Sequence, residues 1–187
     1  MAIKVDGTLW GWGANTRGVL GLGDTTARSS PVQVGVLADW KVIALTQDHW
    51  IAIKSDGSLW SCGDNAEGAL GDGTTVNKSS PVQIGSATNW AFISTTGNAS
   101  LAVDTDGKLW AWGNNGSGEH GKGDTTQRSA PSQVGTLTTW GSLSNAGSGA
   151  IHSVKTDGTL WGWGAVNLGE IGNSDSTTPH YSSPVQI

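Results

Sequence analysis

The chain has 187 residues, a net charge of −5 and a pI near 5.1. That length favours one domain, and that charge excludes generic nucleic-acid binding, which needs clustered Lys and Arg. Only 13% of residues are charged and 36% hydrophobic, with 29 Gly and with 11 Trp against one Tyr and one Phe; so many large rings exclude disorder, and so much Gly argues against a helical bundle. The single cysteine, Cys62, excludes an internal disulfide framework and a cysteine-rich zinc site. No apolar run approaches the roughly 18 residues of a membrane helix, and the opening MAIKVDGTLW lacks the apolar core of a signal peptide.

In chain order, AIKVDGTLWGW reads as two short alternating runs joined through Asp-Gly, a hairpin signal. The loop NTRGVLGLGDTT follows, with Gly18, Gly21 and Gly23 at turn positions, and then the strand SSPVQVG. Pro31 near its start places that strand at a sheet edge. WKVIAL, from Trp40, reads as a further strand. The set then recurs. Leu-Trp stands at Leu9-Trp10, Leu59-Trp60, Leu109-Trp110 and Leu160-Trp161, at spacings of 50, 50 and 51. Pro31, Pro81, Pro131 and Pro184 keep step, as do the lone Trp40, Trp90 and Trp140. Repeats fall at approximately 1–35, 36–85, 86–135 and 136–187. Four antiparallel strands per period of about 50 residues is the size of a propeller blade. The Gly-rich loop is not a phosphate cradle, because no Gly-Lys-Ser/Thr and no helix follows it.

DGTLWGWGANTRGVLGLGDTTARSSPVQVG resembles the repeat of the regulator of chromosome condensation family, with its DG-x-hydrophobic-aromatic hairpin, N-x-x-G-x-L-G-x-G loop and P-x-x-V outer strand. The resemblance covers the whole chain and implies an all-β propeller of four-stranded blades. The family's Gly-x-x-His step is only partly kept. His49 fits, but Thr46 stands at the Gly position, the third copy has Thr96 and Ala99, and the fourth has Gly147 and Ala150. The polar, low-charge style of the repeats is similar to bacterial and phage members.

Trp10, Trp60, Trp110 and Trp161 recur with the repeat, as do Trp12, Trp112 and Trp163, with Cys62 in the same slot. Two residues apart, the two positions share a sheet face and are expected to fill the interfaces between blades. Trp50 has no repeat counterpart; its equivalents are Ser100 and Ile151. It reads either as core or as a partner contact. His49, His120, His152 and His180 fall at different repeat phases without metal-ligand spacing and read as surface or strand-end residues. Arg28, Lys78 and Arg128 share one position, either as a ladder for an anionic surface or as edge residues paired with Asp24 and Asp124. Asp6, Asp56, Asp106 and Asp157 belong to the hairpin turns. The fourth copy carries insertions near Gly147–Gly149 and in STTPHYSSP, which holds Tyr181. Trp50, His49, His180 and Tyr181 are thus the candidate partner-binding residues. No catalytic set, metal site or cofactor site is expected.

These features are read as a non-catalytic repeat module, a component of a phage virion or bacterial surface assembly, or else a soluble protein- or glycan-binding propeller such as an enzyme inhibitor. Copy one lacks its Trp-led strand, so the chain encodes three full blades and one partial blade, an arc or part of a ring. Seven blades would need about 350 residues at this period. The exposed ends then call for a partner, with a second copy expected first, a lost continuation of the same polypeptide next and a tight four-bladed closure third. The ultraviolet-B receptor of the family senses light through Trp and Arg at the Gly-x-x-His step. Here those positions hold Gln47, Gly97 and Ser148, and Asp48, Asn98 and Gly149. Ultraviolet-B illumination is therefore expected to leave the oligomeric state unchanged; a fall in light-scattering mass on illumination would overturn this.

Overall fold

The computed structural model describes residues 1–145, 149–166, 169–174 and 178–187. The insertion near Gly147 and part of STTPHYSSP lie outside the described residues. Among the described residues every regular element is a strand, and the strands form four antiparallel sheets. The first sheet joins β1 (Ala2–Ile3), β2 (Leu9–Gly13) and β3 (Arg28–Gln33). The second runs β4 (Trp40–Leu45), β5 (His49–Lys54), β6 (Leu59–Gly63) and β7 (Lys78–Gln83). The third runs β8 (Trp90–Thr96), β9 (Ala99–Asp104), β10 (Leu109–Gly113) and β11 (Arg128–Gln133). The fourth runs β12 (Ser144–Asn145), β13 (Ala150–Val154), β14 (Leu160–Ala165) and β15 (His180–Gln186). Sheet order follows chain order in each, so Pro31, Pro81, Pro131 and Pro184 all lie on edge strands, where a missing N–H costs no ladder bond.

The hairpin turns are closed by side chains. Asp6, Asp56 and Asp157 accept from the backbone N–H and the hydroxyl of Thr8, Ser58 and Thr159, at 2.6–3.0 Å. Each hydroxyl in turn accepts the indole N–H of Trp10, Trp60 or Trp161. In the third sheet Lys108 replaces the hydroxyl residue. There Asp104 caps the turn and accepts from Trp110 at 3.0 Å.

The core lies between sheets rather than within one. Leu9 and Val34 of the first sheet pack with Trp40, Trp50, Ala52 and Cys62 of the second. Ile51, Ile53, Leu59 and Ile84 pack with Trp90, Ala102 and Trp112. Leu101, Val103, Leu109 and Val134 pack with Trp140, Ile151 and Trp163. Glycine permits the approach. A Cβ on Gly18, Gly68 or Gly118 would lie 2.5–2.6 Å from the Cα of Ser79, Ser129 or Ser182 on the next sheet's edge strand, and all three glycines sit at positive φ.

One expectation needs correction. The second-slot Trp is sealed at Trp112 and Trp163, both 0% exposed, but Trp12 is 42% exposed. Its counterparts are covered by the preceding sheet, and no described sheet packs on that side of the first. The first-slot rings Trp10, Trp60, Trp110 and Trp161 are half-buried rather than sealed. Trp112→Ala is expected to cost about 3–5 kcal/mol, as for a deleted buried large aromatic. Trp12→Ala should cost well under half of that in the isolated chain. Denaturant unfolding of the two variants checks the ratio, and equal losses would show that Trp12 is core.

Candidate interaction surfaces

Trp50 lies in β5 directly opposite Cys62 on β6. It is fully buried and donates its indole N–H to the Val19 carbonyl at 2.7 Å. In the next two sheets the same loop carbonyl, at Ala69 and Glu119, takes the indole N–H of Trp112 at 2.9 Å and Trp163 at 2.8 Å. Trp50 therefore performs from the neighbouring strand the contact that Cys62 is too small to make. The Cys62 thiol is pushed up to about 12 by burial and contacts the Gly18 and Lys78 carbonyls, an unreactive thiol. Trp50 is core, and as a surface contact it is corrected by this burial.

His49 is corrected likewise, since it has no exposed surface. Thr46 closes a turn on it, bonding the His49 carbonyl through its N–H at 2.9 Å and facing Nδ1 through its hydroxyl at 3.0 Å. Nε2 lies 3.0 Å from the Ser100 hydroxyl, which donates to the Ala69 carbonyl at 2.8 Å. Ser100 has one proton and spends it on Ala69, so Nε2 carries the ring proton and Nδ1 accepts from Thr46. His120 is also buried, in the slot held elsewhere by Leu20, Leu70 and Ile171, and its Nε2 has no partner. Two of the four histidines thus depart from the surface reading. His152 and His180 are half-buried, and Tyr181 packs against the apolar clusters of the last sheet.

The basic positions are paired: Arg28 with Asp24 at 2.6 Å, Lys78 with Asp72 at 3.2 Å, Arg128 with Asp124 at 2.8 Å. These pairs peg the loops to the edge strands rather than leaving a free basic ladder. Each loop is also held by an asparagine. Asn15, Asn65 and Asn115 are buried, donating to loop carbonyls and accepting from the N–H of Leu20, Leu70 and His120. Among the described residues no three of His, Cys, Asp and Glu converge as a metal site would require.

Two kinds of surface remain. Grooves open between successive sheets, of about 530 Å³ at the first junction, 650 Å³ at the second and 160 Å³ at the third. Each is floored by an edge-to-face Trp pair, Trp40–Trp60, Trp90–Trp110 or Trp140–Trp161, with Pro81, Pro131 or Pro184 on the wall. Lys54 and Lys155 lie over the rings in the first and third, 3.5–4.8 Å from the centroids, and Asp104 takes that position in the second. The other surface is the pair of end faces. The first sheet offers Trp12, beside a cavity of about 230 Å³ shared with Met1, Val19 and Leu45. The last offers Leu160 and Ile187, 39% and 40% exposed, where the counterparts Leu9, Leu59 and Leu109 are 0% and Val34, Ile84 and Val134 are 2–4%.

Burial holds His49 and His120 down to about 4, with Arg128 adding to the effect at His120. A depressed histidine protonates in the unfolded chain before it does in the folded one, so stability falls as pH drops from about 6.5 toward 4. Each contributes on the order of 3 kcal/mol to that loss. His120→Leu, which restores the residue of the first two copies, should raise the melting temperature more at pH 5 than at pH 7. Equal gains at both pH values would show that His120 does not titrate.

The description "Regulator of chromosome condensation (RCC1) repeat" matches this chain by one family model over residues 6–53 and 56–103 and by a second over 90–119, together more than half of the chain. No curated protein is similar enough in sequence to match. Among solved structures, human WBSCR16 superposes with a TM-score of 0.77 at 24% identity, over 95% of this chain and 46% of that one. Prp20p of Saccharomyces cerevisiae, described for its binding to Gsp1p and histones, gives 0.75 at 21% identity, over 100% and 48%. The same yeast protein bound to Kap60 gives 0.59 at 17%. The chain therefore spans about half the length of these relatives, and the likeness establishes a common propeller fold.

Proposed function

Because the chain belongs to the regulator of chromosome condensation repeat family, we propose that it is a non-catalytic binding and assembly module, a component of a phage virion or bacterial surface structure. One observation carries this reading. Among the described residues the repeat-locked Asp, Ser/Thr and Arg side chains are spent, copy after copy, on closing turns and pegging loops, and aromatic and apolar surface lines the grooves between sheets. Catalysis calls for a unique constellation of groups, whereas aromatic surface of this kind suits protein contact. The low charge and near-identical copies support the structural setting. Prp20p, of which this chain matches about half the length, binds Gsp1p and histones, a precedent for protein contact on this fold.

The grooves favour a second reading, a soluble protein or glycan binder. Edge-to-face Trp beside Pro, in spaces of about 530 and 650 Å³, falls within the range of small-ligand sites. His180 and Tyr181, on the outer strand of the last sheet, remain candidate contacts for either partner. Co-purification from the native source separates the two. The chain should sediment with virions or surface assemblies in many copies. A soluble complex of one chain with one enzyme would support the second reading instead, and turnover of a substrate or catalysed nucleotide exchange would sink both.

A further inference from the structure

One repeat position changes sign. Two residues before the hairpin aspartates Asp6, Asp56, Asp106 and Asp157 stand Lys4, Lys54, Asp104 and Lys155. Each lysine lays its ammonium over the Trp of its own hairpin, 4.2 Å from the ring centroid of Trp10, 4.1 Å from Trp60 and 3.5 Å from Trp161. Lys54 and Lys155 also face Trp40 and Trp140, at 4.7 and 4.8 Å. The first and third grooves therefore each hold a cation of the chain itself over their Trp pair. The second groove keeps only the aromatic half of this arrangement. Trp90 and Trp110 stand edge to face at 5.8 Å and 77°, much as Trp40 and Trp60 do at 6.0 Å and 78°. Among the described residues no cation lies over either ring.

A carboxylate stands where the ammonium would be. Asp104 is 5% exposed. One of its oxygens is taken by the N–H groups of Asp106 and Lys108, and the other accepts only from the Trp110 indole. Among the described residues no Lys or Arg reaches it as an ion pair. Lys78 is paired with Asp72 and Lys108 with Asp106, and Lys108 acts on Asp104 only at longer range. In the first groove Asp39 neutralises Lys54 at 3.4 Å, whereas the second has the neutral Asn89 in the slot of Asp39. The second groove thus keeps an uncompensated negative charge, and a buried charge without a counter-charge is costly. A hydrogen bond to an anion also polarises the Trp110 ring toward negative, which strengthens its hold on a cation. Resting on the reading of this chain as a binding module, we infer that the second groove receives a lysine side chain of a protein partner. The partner's ammonium lies over Trp90 and Trp110 beside Asp104, in the place where the sister grooves carry the chain's own lysine. The groove is the largest of the three, about 650 Å³, with Pro131 on its wall.

Titration of the full chain, followed through its indole N–H magnetic resonance signals, tests this with n-butylammonium, n-butanol and a blocked peptide carrying one lysine between glycines. Both ammonium probes should saturate and shift the signals of Trp90 and Trp110, the peptide at least as tightly as the free amine, and n-butanol should not. Asp104→Lys combined with Lys108→Thr rebuilds the lysine-filled groove and hydroxyl-closed turn of the other copies. It should keep the strand circular dichroism and weaken both ammonium probes by roughly tenfold or more, the scale of a desolvated cation–π contact. Asp104→Asn, which removes the charge alone, serves as a second variant and should weaken them in the same direction. A wild type that takes neither ammonium probe overturns the proposal, as does n-butanol bound equally well. Binding unchanged in both variants overturns it too, by placing the cation elsewhere. Butylammonium bound without the peptide overturns it in favour of a free amine. A groove that passes these tests in a chain that joins no virion or surface structure would leave this inference standing and sink that setting. A chain that joins such a structure while its groove takes no ammonium would sink this inference alone.

Discussion

The whole molecule depends on one contact: a glycine-rich loop of one sheet pressed against the serine-proline edge strand of the next. Nothing inside a single four-stranded sheet of this size supplies a core, because every sheet is one layer thick and its apolar residues point at its neighbours. The loop must therefore approach closely, and close approach is what a side chain forbids. A Cβ at Gly18, Gly68 or Gly118 would fall inside the backbone of Ser79, Ser129 or Ser182. Asn15, Asn65 and Asn115 hold the loops in that shape from within. An indole N–H then crosses the junction to a loop carbonyl, so the burial of a ring and the satisfaction of a backbone acceptor happen in the same step.

That economy explains where the polar residues went. Loops that are buried must have their acceptors met, and this chain meets them with Trp50, Trp112, Trp163, Cys62 and Ser100. His49 is drawn into the same scheme through Ser100, bridging the second and third sheets and returning to the loop of the second at Ala69. Its low basicity follows from the burial that the junction requires.

The architecture was legible because every copy obeys one local grammar: Asp-Gly turns, paired Trp, a proline that must stay at an edge. Even the missing strand of the first sheet could be read, since counting elements needs no tertiary knowledge. What local grammar could not show was compensation across strands. Trp50 looks unexplained along the sequence because its reason lies opposite it, at Cys62, in a pairing that only the sheet register creates. The clue was present as a surplus Trp and a deficit Trp within one copy. His120 was harder still. A histidine in a leucine's slot reads as surface chemistry until the loop around it is folded, and its unpartnered Nε2 shows how incompletely the site accommodates it. The reading of the Trp slots as uniformly buried failed for the complementary reason: repeat position fixes which way a ring points, while exposure depends on whether a neighbour stands there.

Departures from the repeat therefore divide into two classes with different meaning. Trp50 with Cys62 is a departure that restores a contact the consensus residue would have made, so it carries no functional signal of its own. Trp12, Leu160 and Ile187 are the opposite. They keep the consensus chemistry at places where the consensus partner is absent. Trp, Leu and Ile at these places have the composition of an interior, and an interior composition is stable in water only when something covers it.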